Sequence, residues 1–330
     1  MIKKIKGLIF LIVLVGILLV ALILLTSNSD GLQNLQSTVN RITGDRFRVD
    51  LTGFGEWSSS VKNEAMEKLP KGQSLFRVED EALPFVEGYS IYEEDINLEF
   101  NSKTIQKVYM MIGACELKQV ESAEKKIQVA SSQVGKLQCF QLDDTLFIIA
   151  GQKVKEGVNI GTKKGTITLS MPKDKKLQNL KVELGAGNIV FDQMKVEEAS
   201  FDVGAGDIYL GSLISTNGEF KIGMGRMEVA DASVSKASVD VGVGEFLYTG
   251  AFKKSAKISC SMGRVKLTLH GTKKDYNYAL ECSVGTIAVG ETTYSNVSTT
   301  KKMDNGSKKS IDLECSVGSI EIEFEEEVTT

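Results

Sequence analysis

Val182-Glu-Leu184-Gly-Ala-Gly187-Asn-Ile189 returns as Phe201-Asp-Val203-Gly-Ala-Gly206-Asp-Ile208, as Phe220-Lys-Ile222-Gly-Met-Gly225-Arg-Met227 and as Val239-Asp-Val241-Gly-Val-Gly244-Glu-Phe246. Ile258-Ser-Cys260-Ser-Met-Gly263-Arg-Val265 follows at the same spacing. Two diverged copies close the series, Leu280-Glu-Cys282-Ser-Val-Gly285-Thr-Ile287 and Leu313-Glu-Cys315-Ser-Val-Gly318-Ser-Ile320. The second glycines fall at 187, 206, 225, 244, 263, 285 and 318, which is four steps of 19 residues, then 22, then 33. A fixed period of this length marks a repeat architecture.

Within each copy the apolar residues alternate. Counted from the second glycine, positions −5, −3, +2 and +4 are apolar or Cys, as in Ile189 with Phe191 and Ile208 with Leu210, while Asp202, Lys221, Glu228 and Asp240 stand between them. Period two means strands with one buried face. Gly-x-Gly between two short strands reads as a sharp turn, and the 31 glycines against 3 prolines suggest many turns that need positive φ. Two strands of about five residues and two turns cannot bury their own apolar face, so the units must stack. Residues 181–325 therefore read as an all-β, flattened β-solenoid of two facing sheets, with a twisted sandwich of hairpins as the alternative winding. Upstream, Met110-Met-Ile112-Gly-Ala-Cys115-Glu-Leu117 fits the same template, and the 72 residues from Gly113 to Gly185 have room for four degenerate turns. Residues 101–180 are read as diverged repeats and 181–330 as the regular repeat domain.

The N-terminus carries a different signal. Gly7 to Leu25 is an unbroken run of 19 non-ionisable residues, preceded by Lys3, Lys4 and Lys6 and followed by Thr26-Ser27-Asn28-Ser29-Asp30. As a helix that run matches the thickness of a bilayer's hydrocarbon core. The lysines place residues 1–6 in the cytoplasm as a short tail, and everything after Leu25 outside. A cleaved signal peptide would have a shorter apolar region and an Ala-x-Ala-like site, so 7–25 is expected to stay as a transmembrane signal anchor. Residues 26–100, with candidate helices at 33–42 and 61–69, read as a partly structured juxtamembrane stalk. The expected location is the cell membrane, single-pass, with the C-terminal domain extracytoplasmic.

Hydrophobic content of 42% and charged content of 25% exclude wholesale disorder. Removing the three N-terminal lysines from the formal charge of −4 leaves −7, which argues against nucleic acid as a partner. Five cysteines make an odd set for a disulfide framework. Cys260, Cys282 and Cys315 share the inward offset that holds Leu184, Val203, Ile222 and Val241 in other copies, so they read as a ladder of buried thiols.

No motif carries chemistry, and no catalytic, cofactor-binding or metal-binding residue is assigned. Gly-Ala-Gly-Asp at 204–207 lacks the helix a phosphate loop needs. The residues after the second glycine run Asn188, Asp207, Arg226, Glu245, Arg264, Thr286, Ser319, and two arginines would repel a calcium ion. His270, the only histidine, sits before Gly271 in an inserted turn and reads as a solvated edge residue. Asp202, Glu219 and Asp240 scatter at different offsets, as solvating charges do. The tail Glu321–Glu327 reads as an exposed edge strand protected by its charge.

The serial Gly-x-Gly copies, with Asp275-Tyr-Asn-Tyr278-Ala-Leu-Glu-Cys282-Ser-Val-Gly285 and Asn305-Gly-Ser307 … Ile311-Asp-Leu-Glu-Cys315-Ser-Val-Gly318-Ser-Ile320-Glu-Ile, resemble the adhesin-type, toastrack-like β-strand repeat domains of Gram-positive bacteria. The likeness covers roughly 105–325. It implies a surface-exposed, non-catalytic module, in some relatives attached to membrane proteins of the envelope stress response, and it brings no catalytic residues. Serine at the first glycine position (Ser261, Ser283, Ser316) departs from the pattern and suggests a turn relaxed enough for a side chain. The expected function is adhesion or binding at the cell envelope without cofactors, with a wall polymer or an envelope protein as partner. The alternative is an envelope-stress sensor working through a membrane partner, and a polysaccharide-active enzyme stands third.

Overall fold

A computed structural model describes residues 75–77, 84–86, 88–151, 165–295 and 299–325. The segments 1–6 and 7–25 and the candidate helices at 33–42 and 61–69 lie outside the described residues. No helix among the described residues is long and apolar enough to cross a membrane.

The repeats form four long runs, β11 (Asn188–Val203), β12 (Asp207–Ile222), β13 (Arg226–Val241) and β14 (Glu245–Cys260), each 16 residues long. A run plus its three-residue Gly-x-Gly turn restores the 19-residue period. In β12 the inward residues are Ile208 and Leu210, then Leu213 and Ser215, then Gly218, Phe220 and Ile222. The alternation slips at 211–212 and again at 216–217. A one-residue slip moves the inward set to the other face of a strand, so the run must bend at both places to keep its apolar residues inside. Each coil is thus two facing strand segments joined by a narrow third side. The expectation of two five-residue strands and two turns is corrected: one extended run serves both sheets, and one true turn remains.

Pairing between coils is parallel and in register, from Asn188↔Asp207 to Val203↔Ile222 and from Asp207↔Arg226 to Ile222↔Val241. Hairpins would give antiparallel pairs, so the central coils wind as a solenoid.

The two ends depart from a simple sequential stack. After β15 (Arg264–His270) the chain forms β16 (Asn277–Cys282), β17 (Thr286–Val289), β18 (Thr292–Tyr294), β19 (Thr299–Met303), β20 (Ser310–Cys315) and β21 (Ser319–Glu325). β14 and β15 pair with β20 and β21, and these in turn pair with β16 and β17. The last copy is therefore inserted between the fifth and the sixth. β19 and β18 then close the outer coil as antiparallel partners of β16 and β17.

The other end mirrors this order. It contains β3 (Asn97–Asn101), β4 (Lys107–Ile112), β5 (Glu116–Ser122), β6 (Lys126–Ser132), β7 (Lys136–Leu142), β8 (Thr145–Gly151), β9 (Thr166–Pro172) and β10 (Lys176–Leu184). The β4–β5 copy lies against β10 and β11, with β8 and β9 outside it. β7 and β6 run antiparallel along β8 and β9. Two parallel coils, not four, occupy 107–172, because β6 and β7 are spent as antiparallel covers. Such covers terminate a parallel ladder that would otherwise expose unpaired backbone groups.

One core runs through the stack. Phe201 and Phe220 stack with ring centroids 5.8 Å apart, and Phe246 continues the series at 5.3 Å from Phe220. Each ring buried in this way contributes roughly 1.5–3 kcal/mol. A second cluster sits on the outer face of the first sheet, where Tyr109, Met111, Phe147 and Ile149 are covered by Phe85 and Val86. Val86 lies in β2 (Pro84–Val86), which pairs antiparallel with β1 (Leu75–Arg77). Gln138, fully buried in β7, accepts from Val86 N at 2.7 Å and donates to the carbonyls of Val86 and Tyr89, pinning that segment down.

Candidate functional site

In-register stacking turns each offset of the repeat into a column, whose successive residues lie about 4.8 Å apart. Their order follows the stack, so the coils from the β4–β5 copy onward are best named by their second-glycine positions: 115, 187, 206, 225, 244, 263, 318 and 285.

The turn edge shows why the glycines are there. A Cβ on Gly225 would lie 2.0 Å from the Gly206 carbonyl oxygen, and one on Gly244 would lie 2.2 Å from that of Gly225. At the first glycine the clearance is 2.9 Å for Gly204 and Gly223 and 3.0 Å for Gly242. Serine is accepted only at that looser position. Positive φ does not explain these residues, since the positive-φ glycines among the described residues are Gly88, Gly250, Gly271, Gly290 and Gly306. The repeat glycines answer to the neighbouring coil, whose backbone passes too close for a side chain.

The column after the second glycine alternates in sign through the centre of the stack: Asp207, Arg226, Glu245, Arg264. Arg226 and Arg264 reach the Glu245 carboxylate at 3.5 and 3.6 Å. On the other sheet Asp202, Lys221 and Asp240 also form one column, with Lys221 bonded to Glu219 at 2.8 Å. Asp202 and Asp240 therefore share an offset instead of scattering. Burial holds the Asp202 carboxyl above its usual range despite Lys221, and the Glu219 hydrogen bond raises Lys221.

Next to this column the outer surface carries a groove of about 440 Å³. Its floor is the small-residue column Ala199, Gly218 and Ala237, beneath the second bend of each run. One wall is Asn179, Glu198, Asn217 and Lys236, in register across four coils. Asn179 donates to the Glu198 carboxylate at 2.9 Å, and Lys181, Ser200, Glu219 and Ser238 form the opposite wall. The groove thus offers a polar row of fixed pitch. Sequence reasoning missed it, although the 19-residue spacing of 179, 198, 217 and 236 signals the row.

The chain matches the model of the Toastrack DUF4097 family over residues 95–323. It belongs to the Toastrack family. The match begins ahead of the likeness seen in the repeats alone and takes in β3. Among solved structures, this Toastrack chain is similar to a candidate adhesin from Bacteroides fragilis, at 15% identity over 70% of this chain and 98% of that one, with a TM-score of 0.39. It is similar to a candidate adhesin from Parabacteroides distasonis at 13% identity, over 71% and 98% of the two chains, with a TM-score of 0.41. A candidate lipid binding protein from the same organism matches at 16% identity, over 69% and 96%, with a TM-score of 0.36. No curated protein matches the Toastrack chain.

The remaining residues singled out in the Toastrack sequence fall as follows. Cys260, Cys315 and Cys282 are buried, unpaired and contiguous, because insertion of the last copy places Cys315 between the other two. A hydrogen bond shared with Cys315 lowers the Cys260 thiol and raises that of Cys315. Burial pushes Cys115 and Cys139 up to about 12. His270 ends β15, half-exposed, beside Glu325. The acidic tail Glu321–Glu327 is described as far as Glu325, and it is not the edge strand expected at its start. Glu321 and Ile322 lie in β21 between β15 and β17, while residues 323–325 pair with β15 alone. Glu321 and Glu323 meet Arg264 and Lys266 at 3.6 and 2.9 Å. Among the described residues, no group of three His, Cys, Asp or Glu side chains is placed to hold a metal ion.

Proposed function

We propose that this Toastrack protein is a non-catalytic, membrane-anchored module that binds a linear polar partner at the outer face of the cytoplasmic membrane, a wall polymer in the first instance. The observation that carries this reading is the groove whose wall repeats Asn179, Glu198, Asn217 and Lys236 at strand pitch. A row of hydrogen-bonding groups at constant spacing meets an extended chain through many modest contacts, which is how repeat proteins recognise partners. The anchor in this proposal is the apolar run 7–25, oriented by Lys3, Lys4 and Lys6.

The test uses the full chain in detergent, sedimented with isolated cell-wall polymer. Parent protein is expected in the pellet, and Asn217→Leu combined with Lys236→Glu is expected to release it while the melting temperature holds. Binding to wall material that ignores the groove would overturn the site. Absence of any retention, with a membrane kinase recovered in stoichiometric amount instead, would favour the sensing role. For the anchor, protease added to intact spheroplasts is expected to digest the repeats while residues 1–25 stay with the membrane. Full protection of the repeats would reverse the orientation.

A further inference from the structure

The middle residue of every Gly-x-Gly turn is apolar. In stack order the column reads Ala114, Ala186, Ala205, Met224, Val243, Met262, Val317, Val284. Turns ordinarily take Asn, Asp or Ser, whose side chains bond the backbone. Here the backbone is already satisfied from coil to coil. Ala205 N donates to Gly185 O at 2.7 Å, Met224 N to Gly204 O at 2.7 Å, and Met262 N to Gly242 O at 2.8 Å. The side chains are left pointing outward as a ridge spanning roughly 34 Å at strand spacing. Met262 and Val284 on it are 37% and 41% exposed, two of the four exposed large hydrophobic residues among those described. Beside the ridge runs the alternating column Asp207, Arg226, Glu245, Arg264.

Both columns are self-complementary when reversed. A two-fold axis normal to the stacking direction, passing between the coils of Met224 and Val243, sets the ridge against its own copy running the other way. Met224 then meets Val243, Ala205 meets Met262, Ala186 meets Val317 and Ala114 meets Val284. Outside the central pair, each small residue faces a large one. The same axis sets Arg226 opposite Glu245 and Asp207 opposite Arg264. Sliding the copies by one coil spacing would set Arg226 or Glu245 against itself. A parallel arrangement would set every ridge residue against its own copy, alanine on alanine.

We propose that the Gly-x-Gly edge is an isologous interface through which two copies of this chain pair antiparallel. Such an interface is self-complementary by symmetry. A ridge one side chain wide buries less than a standard-sized interface does, so the pairing is weak and belongs to chains held at high local concentration. The proposal does not rest on the groove or its ligand.

The test uses the full chain in membranes, as two differently tagged copies. One carries Ala205→Cys and the other Met262→Cys, and a mild oxidant such as copper phenanthroline is added. The two thiols face each other across the axis, so mixed dimers are expected. Copies that both carry Ala205→Cys place their thiols three coils apart, roughly 14 Å, and are expected to stay uncrosslinked. Arg226→Glu in both copies is expected to cut the mixed product about tenfold, and Glu245→Arg added to both copies to restore it, with unchanged melting as the folding control. Equal crosslinking of like and unlike pairs would overturn the antiparallel register. No mixed product from the Ala205→Cys and Met262→Cys copies would overturn the interface, as would yields indifferent to the 226 and 245 charges.

Discussion

At the scale of single residues, the two glycines of each turn differ in kind. Gly225→Ala would force the Gly206 carbonyl aside in a ladder with no slack, since the added Cβ lies 2.0 Å from it. Denaturant unfolding is expected to show a loss of about 3 kcal/mol or more. Gly223→Ser, at 2.9 Å, copies what Ser261, Ser283 and Ser316 already do, and is expected to cost about 1 kcal/mol or less. Equal losses at the two positions would mean the coils are not stacked in this register. Asp202 makes a pH prediction. Its carboxyl is raised by burial, so the folded state holds its proton over a window above the unfolded value of about 3.9. The folded state binds more protons there, and stability from this group falls as pH rises through that window. Asp202→Asn is expected to abolish that fall, read as the difference between the two proteins' unfolding free energies from about pH 3 to pH 7.

At the scale of the strand, neighbouring positions have opposite fates. Ile222 is 2% exposed and faces the core, so Ile222→Asp is expected to cost on the order of 3–5 kcal/mol for an uncompensated buried charge. Lys221 faces out between Asp202 and Asp240. Lys221→Gln is expected to cost about 1 kcal/mol or less, and Lys221→Asp more than that, because it lines three carboxylates along one column. Thermal unfolding of the three variants orders them, and equal losses at Ile222 and Lys221 would contradict the inside–outside assignment. The thiols belong to this scale too. Cys260, Cys315 and Cys282 are buried in one inward column. A bulky alkylating reagent is expected to leave them unmodified until denaturant is added, as mass spectrometry would show. Changing all three to Val is expected to keep the fold, within about 1.5 kcal/mol per site.

At the scale of the molecule, insertion of the last copy changes what the C-terminus does. In a sequential stack, losing the final repeat would remove one terminal interface. Here a chain ending at Asp304 would lose β20 and β21 from between the coils at Gly263 and Gly285, leaving β14, β15, β16 and β17 without parallel partners on that side. Hydrogen exchange is expected to show lost protection in both flanking coils, and Cys260 and Cys282 are expected to become open to alkylation. Protection confined to its parent pattern in β14 and β15 would mean the insertion contributes little.

The strands, their inward faces and the stacking of units were legible before any coordinates. Alternation within a copy and the 19-residue step between copies are local and periodic properties of Val182 to Val265. The same holds for Cys260, Cys282 and Cys315, which occupy positions where Leu, Val and Ile stand elsewhere. The order of the coils was not legible. Leu313–Ile320 matches the template no better between the fifth and sixth copies than after them, because an in-register parallel ladder accepts any copy with the right offsets. Pairing across 55 residues and the antiparallel covers β18 and β19 decide the position. The same is true of the surface. Asp202 and Asp240 share an offset in the repeat, but they flank Lys221 in one charged column only when coils lie about 4.8 Å apart, and the second glycine is required by a carbonyl 19 residues away. Periodicity carries the unit, whereas contacts between units exist only once the chain has folded back on itself.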